Sequence, residues 1–370
     1  MNQMNEFVYT PIIKTKRGEA KALVELDSSV KNKIIPFFDV LALKADTQNG
    51  NDVHEHMVKQ SLNIVAAWKQ KGPCYIDLFD VTPSARGLNG IHPATIVHET
   101  ISSNLVDAIP VVGIERDIAY KLAIRSVIAS GVGAIAIRLD TEDIQLPSLL
   151  VPRISQLVAE LGATELPLHI FLDFRSIELV ATDTIQMLCS KALIELRKFK
   201  PARTVFAASA IVPNMAKFKR NSLNRVARRD FLTWSLMARS DLDLDYADYG
   251  VVHPDYFDFD PRMIKPAAKI RYTADSEWLI VKGSCWRDDT SQHHALSKML
   301  LAEKEFRDDG CWGSQYIKSA ALGRTKYGTL ETWVTIDQNT HITHTVKQVA
   351  SISIAAKAKA IQSSASVDSF

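Results

Sequence analysis

Short apolar runs alternate with amphipathic helical stretches along most of the chain. Eight of the runs are rich in β-branched and aromatic residues, which is typical of buried strands. They are 8–14, 34–40, 74–81, 108–114, 133–140, 168–175, 204–212 and 247–253. Between them, apolar residues recur at helical spacing. Three of the predicted helices stop at a glycine just before the next strand, namely Gly72, Gly131 and Gly162.

Strict alternation of strands and helices favours parallel strands with right-handed crossovers. Eight repeats predict an α/β fold, a closed (β/α)8 TIM-like barrel over residues 1–254. An open doubly wound sheet is the alternative, but the glycine-rich nucleotide turn that usually follows its first strand is missing.

The pattern changes after about residue 254 and predicts a C-terminal α+β extension over 255–361. It begins with a loop and a hairpin of two antiparallel strands, Lys269–Thr273 and Glu277–Lys282. Helices are expected around 293–306 and 314–321, and a last one over about 343–361. A disordered tail is expected at 362–370.

The composition is that of an ordinary globular protein. The chain has 370 residues, a formal charge of +2, 46% hydrophobic and 23% charged residues, which argues against a dedicated polyanion binder. Its four cysteines lie far apart without a CxxC pair, so we expect reduced thiols and neither a zinc site nor a disulfide framework. No signal peptide and no apolar run of about 20 residues is apparent, which favours a cytoplasmic protein that does not enter a membrane.

Two neighbouring strands end in the same charged residues in opposite order. The stretch GAIAIRLD ends in Arg138 and Asp140, and LHIFLDFR ends in Asp173 and Arg175. Because strand side chains alternate, each pair shares one face, and the reversed order can set each arginine near a carboxylate across the gap. Such ion pairs could simply orient each other at the barrel rim. The other interpretation is a working site, since barrel sites lie at the carboxyl ends of the strands.

The remaining strand ends favour the second interpretation, because nearly all of them deliver a polar or ionisable residue. These residues are Lys14, Lys16, Glu19, Asp39, Asp77, Asp80, Glu115, Arg116, Ser209, Tyr249 and His253. Mixed cations and carboxylates in one cleft suit a phosphate-bearing or otherwise anionic ligand. We predict Asp77, Asp140 and Asp173 as catalytic carboxylates, which could act as general base or hold Mg²⁺. Lys14, Arg138 and Arg175 are predicted to neutralise the ligand.

Two other groups of residues admit functional interpretations. The segment 217–229 has six cations in thirteen residues and could contact nucleic acid, but a solvated helix face is favoured. The histidines include the adjacent pair His293/His294 and the near pair His341/His344, whose i,i+3 spacing could bind metal from one helix face. No matching cysteine or acidic pair is nearby, so a surface location is favoured.

The order of these segments resembles that of the Beta-protein family, found in phages, prophages and phage satellites. The resemblance covers roughly residues 9–350 and rests on segments 9–26, 34–40, 278–284, 293–300, 311–320 and 342–350, together with the strand ends. The family usually has Gly-Asp where this chain reads Gly313-Ser314, and His-His where it reads His341-Ile342-Thr343-His344. Its recurring polar positions map to Lys14, Lys16, Glu19, Asp77, Arg138, Asp140, Asp173 and Arg229. The resemblance thereby adds Lys16, Glu19 and Arg229 to the expected ligand-binding residues.

The resemblance implies a mobile-element protein in an anti-phage defence or phage-exclusion locus, without supplying a reaction. Two hypotheses follow. The first is a barrel enzyme, such as a phosphate-ester or nucleotide hydrolase, acting on a phosphorylated or nucleotide-like ligand. The second is a non-catalytic ligand sensor or interaction module that works through a co-encoded defence partner.

Overall fold

The computed structural model describes residues 7–43, 49–69, 71–239, 244–255 and 265–367, with side chains described as far as residue 353. Eight parallel strands form a closed barrel, as predicted. In order around the barrel they are β1 (Tyr9–Lys14), β2 (Phe37–Asp39), β3 (Cys74–Asp77), β4 (Ala108–Val112), β5 (Ile135–Leu139), β6 (Leu168–Ser176), β7 (Arg203–Ser209) and β9 (Leu244–Asp248). The last barrel strand therefore begins before the predicted run 247–253 and ends within it.

Helices surround the barrel because each apolar run is followed by a stretch with one apolar face. They are α1 (Arg17–Val24), α2 (Ser28–Lys31), α3 (Gly50–Trp68), α4 (Pro93–Ser103), α5 (Ile118–Ala129), α6 (Thr141–Ile144), α7 (Pro147–Leu161), α8 (Thr182–Leu196) and α9 (Arg229–Ala238). Gly162 ends α7 in the left-handed conformation, with φ +68°, as the sequence predicted.

Large aromatic side chains fill the barrel interior. The Phe171 ring lies 5.2 Å from that of Phe37 and 4.9 Å from that of Tyr75, centroid to centroid. At the amino-terminal end of the strands, Arg203 donates to Asp245 at 2.7 Å and to the Tyr75 hydroxyl at 3.1 Å. This end of the barrel is therefore closed by paired polar groups, and the carboxyl end is left for a site.

The eighth helix of the barrel comes from the end of the chain. Helix α12 (Leu330–Val367) packs against α1, α9 and β1. Its Thr335 hydroxyl donates to the Gly18 carbonyl at 2.9 Å. Its buried His341 lies 3.0 Å from Asp248, which also accepts from the Tyr9 hydroxyl at 2.5 Å. The segment between β9 and α12 is thus inserted between the last strand and the last helix of the barrel.

That insertion provides two strands of a small antiparallel sheet, β10 (Ala267–Thr273) and β11 (Glu277–Cys285), as predicted. The third strand is β8 (Ser222–Ala227), which follows β7, and the strand order is β10-β11-β8. Helices α10 (His293–Leu301) and α11 (Trp312–Ala321) belong to the same apolar cluster as this sheet. Because β8 and β10 both follow the carboxyl ends of barrel strands, the small sheet lies on the mouth side of the barrel.

The expectation of a helix at 217–229 was wrong, because its residues Ser222–Ala227 pair with β11 as strand β8. The one cation within this strand, Arg225, is satisfied by carboxylates brought in from elsewhere. Arg225 lies 2.9 Å from each of Glu277, Glu303 and Glu305.

The expected surface location of the histidine pairs was also wrong. His293 and His341 are fully buried, and His344 is nearly so. His293 stacks on Trp333 with centroids 4.4 Å apart, so this ring serves packing.

The predicted tail at 362–370 falls where side chains are not described; the helical backbone of α12 is described to Val367, and 368–370 lie outside the described residues. Among the helices of the described residues, none combines the length and apolar character needed to cross a membrane. The four cysteines are thiols that form no disulfide, and Cys74, Cys189 and Cys311 are buried.

Candidate functional site: a saturated ion network beside a cationic cavity

Arg138 occupies the centre of the barrel mouth and is almost completely buried. Its Nε donates to Asp173 at 2.7 Å, its Nη1 to Asp77 at 2.6 Å and its Nη2 to the Tyr249 hydroxyl at 2.7 Å. Tyr249 in turn donates to Asp173 at 2.5 Å. Burial opposes the charge, but Tyr249, Asp173 and Asp77 outweigh it and raise the pKa of Arg138 well above its ordinary value.

A second arginine completes the pairing of Asp77. Arg116 Nη2 lies 2.8 Å from Asp77 Oδ1, and Arg116 Nε lies 2.7 Å from Glu115. The Phe79 ring sits among three guanidinium groups, those of Arg116, Arg138 and Arg175, at 4.5 to 4.9 Å from its centroid. Cation–π contact with this ring stabilises the cluster further.

All four carboxylate oxygens of Asp77 and Asp173 accept hydrogen bonds. Asp77 accepts from Arg116 and Arg138, and Asp173 accepts from Arg138 and Tyr249 through Oδ2 and from the Arg175 backbone N–H through Oδ1 at 2.9 Å. Each of these oxygens already accepts at least one hydrogen bond, so a substrate proton would have to compete with the existing partners.

Only one of the two expected ion pairs across strands five and six forms. Arg138 pairs with Asp173, whereas Arg175 pairs with Asp255 at 2.8 Å. The reason is a register irregularity in β6 between Asp173 and Ser176, where Arg175 has a left-handed φ of +50°. A bulge with a strained non-glycine residue re-aims a side chain and is common beside functional sites.

Asp140 does not join Arg138 but caps the short helix α6, accepting from the Asp143 N–H at 2.9 Å. Ligand oxygens of Glu115, Asp140 and Asp143 lie within 4.8 Å of one another. These are the donors that Mg²⁺ prefers. Asp143, however, is already paired with Arg153 at 2.6 Å. The cluster has suitable donors for a cation but is partly neutralised by protein.

Lys14, at the end of β1, lies between two carboxylates, 2.9 Å from Asp39 and 2.7 Å from Asp80. Burial lowers the pKa of Lys14, but the two carboxylates outweigh burial and raise it overall. Glu19, in the first turn of α1, is buried and accepts the Lys14 backbone N–H at 2.9 Å, so it holds the turn after β1. Burial raises the pKa of Glu19.

A cavity of about 210 Å³ opens between the barrel mouth and the small sheet. Four cations line it: Lys14 and Lys16 from the end of β1, and Lys269 and Arg271 from β10. The segments 211–215 and 251–253, which follow β7 and β9, and the carboxylate Asp255 provide the other lining residues. The cavity brings together Lys14 and Lys16 of the predicted residues, and does not include Asp77, Asp140 or Asp173.

The two cations from β10 differ in their pairing. Arg271 is buried and donates to Asp337 at 2.9 Å and to the Val251 carbonyl at 2.8 Å. Lys269 is half-buried, and within the described ranges its ammonium forms no hydrogen bond and no ion pair. Burial, followed by the nearby charge of Arg271, lowers the pKa of Lys269 to about 8.

Arg229, expected among the ligand-binding residues, is placed elsewhere. It donates to the carbonyls of Glu178 and Val180 in the connection between β6 and α8, so it supports that loop. Sequence reasoning missed Lys269 and Arg271. The signal available was their alternate spacing in AAKIRYT, which places two cations on one face of a predicted strand.

These features define a class: a parallel eight-stranded α/β barrel with a paired ionic network at the centre of its mouth and a cationic cavity beside it. The sequence model of the Beta protein family matches residues 9–347, nearly the whole chain. The chain belongs to the Beta protein family. A comparison with curated proteins gives no match.

Proposed function

We propose that this protein binds a phosphorylated or nucleotide-like anion in the cavity at the barrel mouth and acts as a ligand sensor. The observation that carries the proposal is Lys269. A half-buried ammonium without a partner among the described residues destabilises the folded protein, and an anionic ligand would remove that cost. Lys16 and Arg271 line the same cavity and add positive potential.

Binding without catalysis is better supported than hydrolysis. A hydrolase needs a carboxylate or another base that is free to accept a proton from water. Asp77 and Asp173, two of the three predicted catalytic carboxylates, are engaged by arginines, a tyrosine and a backbone N–H on every oxygen, and the third, Asp140, caps α6. Hydrolysis by these residues stays a prediction, and their pairing favours the sensor hypothesis over it.

The biological part of the proposal is a role in phage exclusion or anti-phage defence through a co-encoded partner. It is supported by the family resemblance to proteins of phages, prophages and phage satellites. A phage-challenge assay with folded Lys269→Met protein tests it, and we expect protection to be lost if ligand sensing triggers the response.

Calorimetric titration with inorganic phosphate and nucleoside monophosphates tests the binding proposal directly. We expect Lys269→Met to weaken binding by at least about tenfold, because one full charge leaves a poorly solvated cavity, and Lys269→Arg to retain it. Lys191→Met, on the exposed face of α8, is the matched control and should bind as wild type does. Wild-type protein that binds none of these anions, or a Lys269→Met protein that binds them unchanged, would refute the proposal.

A further inference from the structure

The cavity has two chemically different walls. One is cationic, formed by Lys16, Lys269 and Arg271. The other is formed by 211–215, where Ile211 and Val212 are buried and Met215 is half-buried. The barrel order β7-β9-β1 places these walls on opposite sides of the end of β9, because 211–215 follows β7 and Lys16 follows β1.

The apolar wall is held in place by a buried lysine from the neighbouring strand β11. Lys282 donates to the Met215 carbonyl at 2.6 Å and to the Phe218 carbonyl at 2.9 Å, with a longer contact of 3.4 Å to Ala216. Three carbonyls on one ammonium fix the path of the loop after β7. A loop that served only to connect β7 to β8 would not need a buried cation at its centre.

A wall fixed in this way can discriminate between ligands. A bare inorganic anion would use the cationic wall alone and would leave the half-buried Met215 facing water across the cavity. A ligand with an apolar or aromatic body would bury this side chain as its anionic group reached the cations, and gain the free energy of removing apolar surface from water.

We propose that the cavity is specific for amphipathic anions, that is, phosphate monoesters with an aromatic or apolar body, with Met215 as a specificity-determining residue and Lys282 as its positioning residue. This inference rests on the proposed function, since it assumes that the cationic wall binds the phosphate group. It adds that the 211–215 segment contacts the apolar or aromatic body of the ligand.

The test compares inorganic phosphate with phenyl phosphate, which differ by one aromatic ring. We expect phenyl phosphate to bind wild-type protein about tenfold more tightly, as burial of part of a phenyl ring would give. In Met215→Ser this ratio should fall toward one, because the ring loses its apolar contact. Met187→Ser, a half-exposed methionine on α8 outside the cavity, is the matched control and should keep the wild-type ratio.

Lys282→Met should lower the same ratio by releasing the wall, and Lys282→Arg should restore part of it. Thermal melting identifies any variant that fails to fold. If Lys282→Met does not fold, the Met215→Ser comparison still tests the inference. Equal affinity of wild-type protein for the two ligands, or an unchanged ratio in Met215→Ser, overturns this inference and leaves phosphate binding intact. Failure of both ligands to bind overturns the inference together with the proposed function.

Discussion

The centre of the barrel mouth and the cavity beside it are both rich in ionisable residues, but they handle charge in opposite ways. At the centre, Arg138 has three partners and is buried among them. In the cavity, Lys269 lies in a cation-lined space with no partner among the described residues. Buried charges that are fully paired hold a structure together, whereas an unpaired one costs free energy that a bound counter-ion can return. The number of charged residues at a strand end is therefore a poorer guide to function than the number of their partners.

The largest expected effect on stability comes from removing one carboxylate of the ion network at the centre of the barrel mouth. Asp77→Asn keeps the shape of the side chain but leaves Arg116 and Arg138 without their shared counter-ion. We expect the free energy of unfolding to fall by about 3–5 kcal/mol, as when one partner of a buried pair is removed. Chemical denaturation measures it. Asp255→Asn, which breaks the more exposed pair with Arg175, should cost less than about 1 kcal/mol, and an equal loss in both variants would contradict the contrast.

Substitution of the cavity lysine Lys269 should change the free energy of unfolding in the opposite direction. Lys269→Met removes the destabilising ammonium, and we expect it to raise the free energy of unfolding at pH 7 by about 2 kcal/mol, the order that a lowered lysine pKa implies. The same variant should lose anion affinity, so stability and binding move apart. Thermal melting without ligand measures the change in stability. A lower melting temperature for Lys269→Met than for wild type would show that the ammonium does not destabilise the folded protein.

A pH series sharpens the same point. The native pKa of Lys269 is about 8 and its ordinary value is 10.5, so between these values the unfolded chain binds more protons than the folded one. Lys269 therefore penalises folding fully below pH 8, and the penalty fades as the pH rises toward 10.5. The gain in the free energy of unfolding of Lys269→Met over wild type should shrink across that window. Chemical denaturation at several pH values measures this gain. A gain that is constant from pH 7 to 10.5 would contradict the assignment.

Ligand binding should show the matching trend. A phosphate monoester is a dianion above its second pKa of about 6, so its own charge is constant from pH 7.5 to 9. We expect wild-type affinity to fall as Lys269 loses its proton in this range, and the affinity of Lys269→Arg to stay flat. Parallel declines in the two proteins would place the titrating group elsewhere.

The smallest expected effect concerns the strained bulge of β6 at Arg175. Arg175 has φ +50°, which glycine adopts freely and other residues do not. Arg175→Gly should therefore be more stable than Arg175→Ala by about 1 kcal/mol, although both lack the guanidinium. Comparing the two variants by denaturation measures the free-energy cost of the left-handed backbone conformation at this position. Equal stability would mean that β6 relaxes when the side chain is removed.

Much of the barrel follows from local pattern. The eight apolar runs became the eight barrel strands because β-branched and aromatic residues buried on both faces are characteristic of parallel strands. The hairpin of β10 and β11 was equally visible. Strand β8 was missed because the cations of 217–229 are typical of a solvated helix face, and the glutamates that pair with Arg225 in the sheet, Glu277, Glu303 and Glu305, are distant in sequence.

The candidate site was less accessible to sequence reasoning. Strand-end chemistry found Lys14, Asp77, Arg138 and Asp173, because position at a strand end is a local property. It could not tell that Arg138 and its carboxylates satisfy one another, since that depends on side-chain geometry across strands. Lys269 belongs to a segment outside the barrel pattern, and it reaches the mouth only because the small sheet lies against it.

The placement of α12 has a consequence for how the chain acquires its structure on the ribosome. Thr335 bonds to Gly18 across 317 residues of sequence, and the outer side of β1 at Tyr9 is covered only when His341 and Asp248 come together. At translation rates of 5–20 residues per second, the first strand and first helix wait roughly 15 to 60 seconds for the helix that covers them. The nascent barrel cannot close before β9, which pairs with β1, has been made, and α12 covers that junction only after a further segment has been synthesised.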